Sequence, residues 1–371
     1  MKSLPPARSS PTPPAIMHRT LPCALLAAAH LAGQAAPLPV YREFKDWMVA
    51  CSNSGHCVAK GFEEYTDSTE MLLEQAPGPD GETSLTLSFQ VKDKMAIPQL
   101  RLNGQALSTD EWEISQEGNA YGSSWIHCLD DEATRKLLAT ASRKQALTLT
   151  DKQGHVLADF KVAGLTASLL LIDETQGRLG TTRALLRTGS KSAATIPPAH
   201  PLPVLHPAAI GKPEVSAAEA TRLLQAVRKL EPDCATNDDD DGQQGDVAAL
   251  SFREAIVLLP CGQGAYNTSY VTYRAQRHGK PKPARLVLPG LSKVFTASYE
   301  MTNAGYDPAS QTLSQYTKGR GVGDCGEASG WIFDGRNFVL SSYSHQGRCG
   351  GQSLLDWPAL WQTTVEAVKA R

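Results

Sequence analysis

From Phe44 onward, apolar and polar positions alternate with the two-residue period of half-buried strands. Over Phe44–Cys51, Trp47 and Val49 alternate against Asp46 and Met48. Asn53-Ser54-Gly55 is a turn, and Cys57–Phe62 returns, so a Cys51–Cys57 bridge would close a small hairpin. Glu70–Gln75, Ser84–Val91 and Pro98–Leu102 read as further strands, with strong turn chemistry over Ala76-Pro77-Gly78-Pro79-Asp80-Gly81. The period then lengthens. Asp130 or Asp131 caps a helix to about Ser142, with Leu137 and Leu138 inward. Ala146–Thr150 and Val156–Val162 predict a hairpin around Asp151–His155, and Thr166 is placed to cap an apolar helix, Ala167–Gln176.

Residues 189–213 break both periods. Pro197, Pro198, Pro201, Pro203, Pro207 and Pro213 lie there among small residues, the composition of a semi-extended linker. The pattern therefore predicts one domain over 38–188 and another over 214–371. A chain of roughly 335 residues after a leader exceeds one ordinary core, which agrees with two domains. In the second, Ser216 caps a helix to about Leu230 with Ala220, Leu223, Leu224 and Val227 on one face, ended by Pro232. Strands follow over Val247–Leu250, Glu254–Pro260, Ser269–Gln276, Ala284–Leu288 and Val294–Met301. A meander over Thr312–Thr317, Gly330–Phe333 and Phe338–Ser344 completes the domain. Trp357 and Trp361, four apart, fall on a short helix predicted from Pro358. Helical aromatics at that spacing either pack into a core, their usual role, or present a sugar-binding face. The fold class is α+β: two mainly antiparallel-sheet domains with a few helices, supported by disulfides.

The cysteines change the picture most. Of eight, Cys23 lies in an apolar, Ala-rich stretch, Leu21–Leu31, about as long as a signal-peptide core and too short to span a bilayer. Small residues at Gly33-Gln34-Ala35 fit cleavage after Ala35, and Met17-His18-Arg19 reads as the true start of that leader. Six of the others form three sequential pairs, Cys51/Cys57, Cys234/Cys261 and Cys325/Cys349, the pattern of an exported, disulfide-pinned protein. Cys128 is the odd thiol: a buried small hydrophobe or a reactive nucleophile, with His127 on the opposite strand face. The expected compartment is periplasmic or secreted. Residues 1–35 carry Lys2, Arg8 and Arg19 and no acid, so 33 of 36 basic side chains remain against 38 acidic ones. That mild acidity gives no sign of a nucleic-acid groove, and no later stretch approaches a membrane span.

Two motifs could carry chemistry. In Asn237-Asp238-Asp239-Asp240-Asp241-Gly242, oxygen donors at Asn237, Asp239 and Asp241 followed by Gly resemble the opening of an EF-type calcium loop. The bidentate Glu that should close it is replaced by Ala248, and a solvated acidic loop is the other reading. Calcium is the one cofactor the chain leaves open. Gly321-Val322-Gly323-Asp324-Cys325-Gly326 matches G-x-G-x-x-G, but a strand rather than a helix follows, and Asp324 would face a pyrophosphate. The chain has no G-x-S-x-G elbow, H-E-x-x-H, P-loop or C-x-x-C, and its histidines are scattered. Metal binding by any of them needs convergence in space, and His345, inside the stapled C-terminal hairpin, is the first to inspect.

Several uncommon strings occur in one order: Asp46-Trp47-Met48-Val49-Ala50-Cys51 with Asn53, Cys57, Ala59, Gly61 and Phe62; Pro260-Cys261 with Gly264-Ala265-Tyr266-Asn267; Lys318-Gly319-Arg320-Gly321 with Gly323-Asp324-Cys325-Gly326; and Trp331 with Asp334-Gly335 and Phe338. Together they resemble the bacterial family called domain of unknown function 1176, over essentially the whole chain after the leader. That resemblance implies a secreted or periplasmic protein of Gram-negative bacteria and no established activity. The opening Trp-to-Cys segment is also similar to invasion-associated locus B proteins. The expectation is a non-catalytic envelope protein that binds an unknown envelope component or protein. Lys318–Gly326 is its candidate surface. Repeated glycine there exposes backbone N–H groups while Lys318 and Arg320 favour an anion, or it serves only a tight turn. Asp324, Tyr266, Asn267, Trp331 and His345 complete the candidate ligand-binding set. The alternatives are a hydrolase acting on envelope polymer, which needs two carboxylates or one beside His345 in a cleft, and a calcium-stabilised structural accessory protein. Exposed aromatics on a convex surface would favour binding.

Overall fold

A computed structural model describes residues 39–66, 68–116, 123–208, 214–235, 245–287, 299–351 and 357–366. The segment expected to be a leader and the Asn237–Asp241 loop lie outside the described residues. The N-terminal half runs β1 (Val40–Phe44), β2 (Trp47–Cys51), β3 (Cys57–Gly61), β4 (Thr69–Gln75), β5 (Thr83–Gln90), β6 (Leu100–Leu102), β7 (Gln105–Ala106), β8 (Trp112–Gln116), β9 (Ser123–Cys128), α1 (Asp131–Ala141), β10 (Ala146–Asp151), β11 (Val156–Lys161) and α2 (Leu165–Thr175). One sheet has the order β1-β2-β3-β4-β5-β9-β8 and a second the order β11-β10-β6-β7. In β5, Leu85, Leu87 and Phe89 point into a core shared with Trp47, Leu138, Leu149, Phe160 and Leu169, while Ser84, Thr86 and Ser88 point away.

The C-terminal half runs β12 (Val204–Leu205), α3 (Ala217–Arg228), β13 (Asp246–Ala249), β14 (Glu254–Gln263), β15 (Thr268–Gln276), β16 (Pro281–Pro283), β17 (Glu300–Thr302), β18 (Gly305–Asp307), β19 (Thr312–Lys318), β20 (Gly326–Phe333), β21 (Phe338–Gln346), β22 (Ala359–Trp361) and β23 (Thr364–Val365). β13-β14-β15-β16 with β17 on β15 make one sheet, and β18-β19-β20-β21-β22 make another. Every pairing in these large sheets is antiparallel; among the described residues the short β12–β23 pair and an isolated Thr181–Lys191 bridge are parallel. The α+β class read from the sequence is therefore the observed one.

Capping follows the sequence where the cap is a side chain. Asp130 accepts from the Ala133 N–H at 2.6 Å and Ser216 from the Glu219 N–H at 3.3 Å. It fails at α2. That helix starts at Leu165 behind Gly164, whose φ is 109°, and a Cβ at 164 would collide with the Phe44 carbonyl. Thr166 lies inside the helix and donates to the Ser142 carbonyl at 3.0 Å.

Four strand and helix expectations need correction. Phe44 ends β1 instead of opening β2, because the chain reverses through Lys45, at φ 52°, and Asp46. Pro98 sits in a 3-10 turn, Ile97–Gln99, ahead of β6. Ala284 makes one backbone bond to Thr272 after β16, and no strand follows over 284–287. Residues Ala359–Trp361 form β22, not a helix, because the open edge of β21 offers backbone partners. Trp357, just before it, is buried and stacks on Tyr316 with centroids 4.6 Å apart.

The three cysteine pairs are disulfide-bonded as paired in the sequence. Cys51 and Cys57 close the β2–β3 hairpin; Cys234, after α3, ties to Cys261 on β14; Cys325 and Cys349 clamp the β20–β21 hairpin. Cys128 is unpaired, 2% exposed, and burial pushes its thiol pKa up, which fits an inert packed thiol. Labelling under denaturation should therefore modify one of these seven cysteines before reduction and all seven after. Reduction of Cys234–Cys261, 27 residues apart, should cost about 2–4 kcal/mol.

The β2 strand is buried on both faces. Trp47, Val49 and Cys51 join the N-terminal core, whereas Ala50 packs on Tyr343 and Leu360. The second face of β2–β4 is thus roofed by β21 and β22. Backbone bonds cross this seam from Asn53 to Leu360 at 3.0 Å, Tyr65 to Cys349 at 2.7 Å and Gly351 to Thr66 at 2.8 Å.

Candidate functional site

The Gly-rich segment joins β19 to β20 at the edge of that seam. Its first residue is clamped by a side chain acting as a strand: the Lys318 N–H donates to Asn267 Oδ1 at 3.1 Å, and Asn267 Nδ2 donates to the Lys318 carbonyl at 2.9 Å. Asn303 Nδ2 holds Asn267 Oδ1 at 2.9 Å and the Tyr316 carbonyl at 2.7 Å. The Gly319 N–H donates to the Cys325 carbonyl at 2.7 Å and the Gly323 N–H to the Arg320 carbonyl at 2.9 Å. These bonds close the base of the loop and turn its tip.

Left-handed backbone is needed at Gly323, φ 74°, and Gly326, φ 142°. A Cβ on Gly326 would collide with the Thr317 carbonyl, and one on Gly319 would stand 2.6 Å from Cys325 Sγ. Gly321 differs: a Cβ there would meet Tyr266 Cδ1 at an ordinary 3.7 Å. The turn reading of the glycines therefore holds at two positions and not at Gly321.

Arg320 does not offer an unmatched cation. Its Nε donates to Asp324 Oδ1 at 2.8 Å, and its Nη2 to Asp324 Oδ2. Asp324 is 2% exposed, and the Arg320 hydrogen bonds hold its carboxyl below the usual range. The pair therefore contributes stability at neutral pH that is lost on acidification through the lowered carboxyl pKa. An Arg320→Ala change would strand a buried carboxylate, so it disturbs the fold as well as any contact surface. Lys318 has no ion-pair partner among the described residues.

A residue the sequence did not single out completes the loop. Tyr65 has φ 64°, uncommon for an aromatic residue, and is 66% exposed. Its N–H is tied to the Cys349 carbonyl, and the Arg320 guanidinium lies 5.5 Å from its ring centroid. On the other side, Tyr266, 41% exposed, donates to the Gly319 carbonyl at 3.2 Å. Val322, at the tip, is 65% exposed. Tyr65, Arg320, Val322, Lys318 and Tyr266 thus surround one rigid turn.

Trp331 and His345 are not part of this surface. Trp331 is fully buried on β20 and donates to the Val287 carbonyl at 3.0 Å. His345 lies on β21, its ring 4.6 Å from Tyr41 and 6.4 Å from Tyr343. Glu43 Oε1, Tyr41 Oη and His345 Nε2 all border the space where a Cβ on Gly347 would fall, Tyr41 Oη 2.8 Å and His345 Nε2 3.2 Å from that point. Tyr41 donates to Glu43 at 2.8 Å, and burial followed by the Glu43 charge pushes its hydroxyl pKa far up. That hydroxyl is no nucleophile at neutral pH.

Beneath the loop runs a buried polar chain. Lys60 Nζ lies 4.0 Å from Glu70 Oε1, both side chains 1% exposed, and donates to Gln346 Oε1 at 3.1 Å. Gln346 Nε2 donates to the Asp324 carbonyl at 2.7 Å. Asp324, Cys325 and Cys349 place an oxygen and two sulfurs within 4.8 Å, but both sulfurs are in the disulfide and the carboxylate holds Arg320, so this set does not suit a metal.

No solved structure matches the chain. An Escherichia coli K12 protein, "Uncharacterized protein YpfG", is 31% identical over 341 residues, covering 88% of this chain and 93% of that protein. The family described as "Protein of unknown function (DUF1176)" matches residues 41–364, and the loop, its asparagine clamp and both halves of the seam all fall inside that range. The chain belongs to the DUF1176 family.

Proposed function

We propose that the protein is a non-catalytic binding protein of an oxidising compartment, the periplasm or the cell exterior of a Gram-negative bacterium. It holds an envelope component against the turn formed by Lys318–Gly326, Tyr65 and Tyr266. The observation that carries this reading is Tyr65: an aromatic held outward, two-thirds exposed, on left-handed backbone pinned to the Cys325–Cys349 clamp. Local strain of that kind persists where the surroundings enforce it, and rigid exposed tyrosines are effective contact residues. The three disulfides support the compartment, and no helix among the described residues is long and apolar enough to cross a membrane. The favoured ligand has an apolar or CH-rich face for the tyrosines and a negative group for Lys318.

The purified chain, immobilised and incubated with envelope extract, should retain one component selectively. Tyr65→Ala and Tyr266→Ala should each weaken retention about tenfold, a loss of about 1.4 kcal/mol, with little change in melting temperature. Unchanged retention in both variants would remove the loop as the contact surface. A second reading takes Glu43 and His345, which border the same space at Gly347, as a carboxylate and an imidazole that exchange protons with a substrate. If the same incubation releases soluble fragments from the extract, and Glu43→Gln abolishes the release, the protein is a hydrolase and the binding reading fails.

A further inference from the structure

At one end of the β13–β17 sheet, far in sequence from the Gly-rich turn, an exposed aromatic ring stands on a turn hydrogen-bonded to a second turn rich in basic residues. The β13–β14 turn is built tightly. Leu250 and Ser251 N–H groups donate to the Glu254 carbonyl at 2.9 and 3.0 Å, and Ser251 Oγ accepts from the Arg253 and Glu254 N–H groups at 3.1 and 3.0 Å. Leu250 is fully buried, yet Phe252 is 72% exposed, so the turn holds the ring outward.

The β15–β16 turn lies directly alongside, since the Arg277 N–H donates to the Arg253 carbonyl at 2.8 Å. That turn carries the exposed His278 and Lys280, and Lys282 faces Arg274 across the β15–β16 pair. Arg222 of α3 donates to the Arg277 carbonyl, and Arg274 reaches the Arg336 carbonyl at 2.6 Å. The local acids are mostly engaged: Glu219 holds Arg277, Glu254 holds Arg274, and Asp334 accepts from the Arg336 and Asn337 N–H groups. Arg222, Arg253, Lys280, Lys282 and Arg336 have no ion-pair partner among the described residues, and they outnumber the exposed acids near them, Glu214 and Asp334. This concentration of positive charge sits on a chain whose formal net charge is −2.

We propose that this end of the sheet docks peripherally on an anionic phospholipid surface, the cations meeting headgroup phosphates and Phe252 entering the interfacial layer. A soluble polyanion would use the cations alone; it gives no reason for a rigid turn that keeps an aromatic ring in water. Each basic side chain near an anionic membrane strengthens binding about fivefold, and an inserted phenyl ring adds an apolar contribution that salt does not screen. The proposal is independent of the Gly-rich turn.

Sedimentation of the full chain with phosphatidylglycerol–phosphatidylcholine vesicles tests it, against pure phosphatidylcholine vesicles as control. The chain should pellet with the anionic vesicles only. The double variant R253E/K280E should bind at least about thirtyfold more weakly, and Phe252→Ser about tenfold more weakly. Both substitutions are at exposed positions, so melting temperatures should stay unchanged and report that the fold is intact. Equal binding to neutral vesicles, or full binding by either variant, overturns the proposal. So does capture of inorganic polyphosphate by wild type and Phe252→Ser alike in the absence of vesicle binding, which would assign the patch to a soluble polyanion.

Discussion

Replacing Gly326 by alanine should cost the fold about 3 kcal/mol or more. Its φ of 142° is closed to ordinary side chains, and the added carbon would strike the Thr317 carbonyl and press to 2.8 Å from Trp357 Cη2. Neither obstacle is a flexible side-chain end. Thr317 is fixed in the β19–β20 ladder, and Trp357 is stacked on Tyr316. The contrast is Gly321→Ala, five residues earlier in the same segment, which should change stability by no more than about 0.5 kcal/mol because its Cβ would find an ordinary contact with Tyr266. Urea denaturation of the two variants decides the matter. Equal losses would mean that the loop's backbone is not held as described.

The second large effect is expected at Glu70. Glu70→Ala leaves the Lys60 ammonium buried without its carboxylate, and breaking such a pair costs about 3–5 kcal/mol. Lys60 also holds Gln346, and Gln346 holds the Asp324 carbonyl, so the loss should propagate to the Gly-rich turn. The double replacement Lys60→Met with Glu70→Leu removes both charges and should recover most of the stability, since a packed apolar pair replaces a buried ionic one at little cost. Chemical denaturation of the single and double variants measures the coupling. If Glu70→Ala is nearly neutral, the pair is hydrated and the seam is not closed around it.

The candidate site was half legible. Lys318, Arg320 and Asp324 could be picked out because glycines and a cysteine mark a constrained turn, Tyr266 and Asn267 stood in the strings that carry the family resemblance, and all five converge there. The role of Arg320 could not be read, because whether a guanidinium is open to a ligand depends on where Asp324 points, and here the two are paired. Tyr65 carries no mark in the sequence. Its importance arises from a hydrogen bond to Cys349 and a contact with Arg320, both supplied by the opposite half of the chain. Trp331 stood in the candidate ligand-binding set, and the structure takes it out. The strand β20 is buried on both faces toward its end, so a large aromatic there is core.

What the sequence by itself determined is local. Period-two alternation marks most of the strands, side-chain caps mark α1 and α3, and the order of the cysteines pairs them, because each signal acts over a few residues or one hairpin. The tertiary structure decided the rest. It roofed the second face of β2–β4 with β21 and β22, turning β2 and Lys60 into parts of an interface. It made a strand of Ala359–Trp361 by offering the edge of β21, and it joined the turn that carries Phe252 to the turn that carries His278 and Lys280. Backbone partners, burial of a second face and the meeting of distant charges are properties of what a segment packs against, and no window of residues contains its own neighbour.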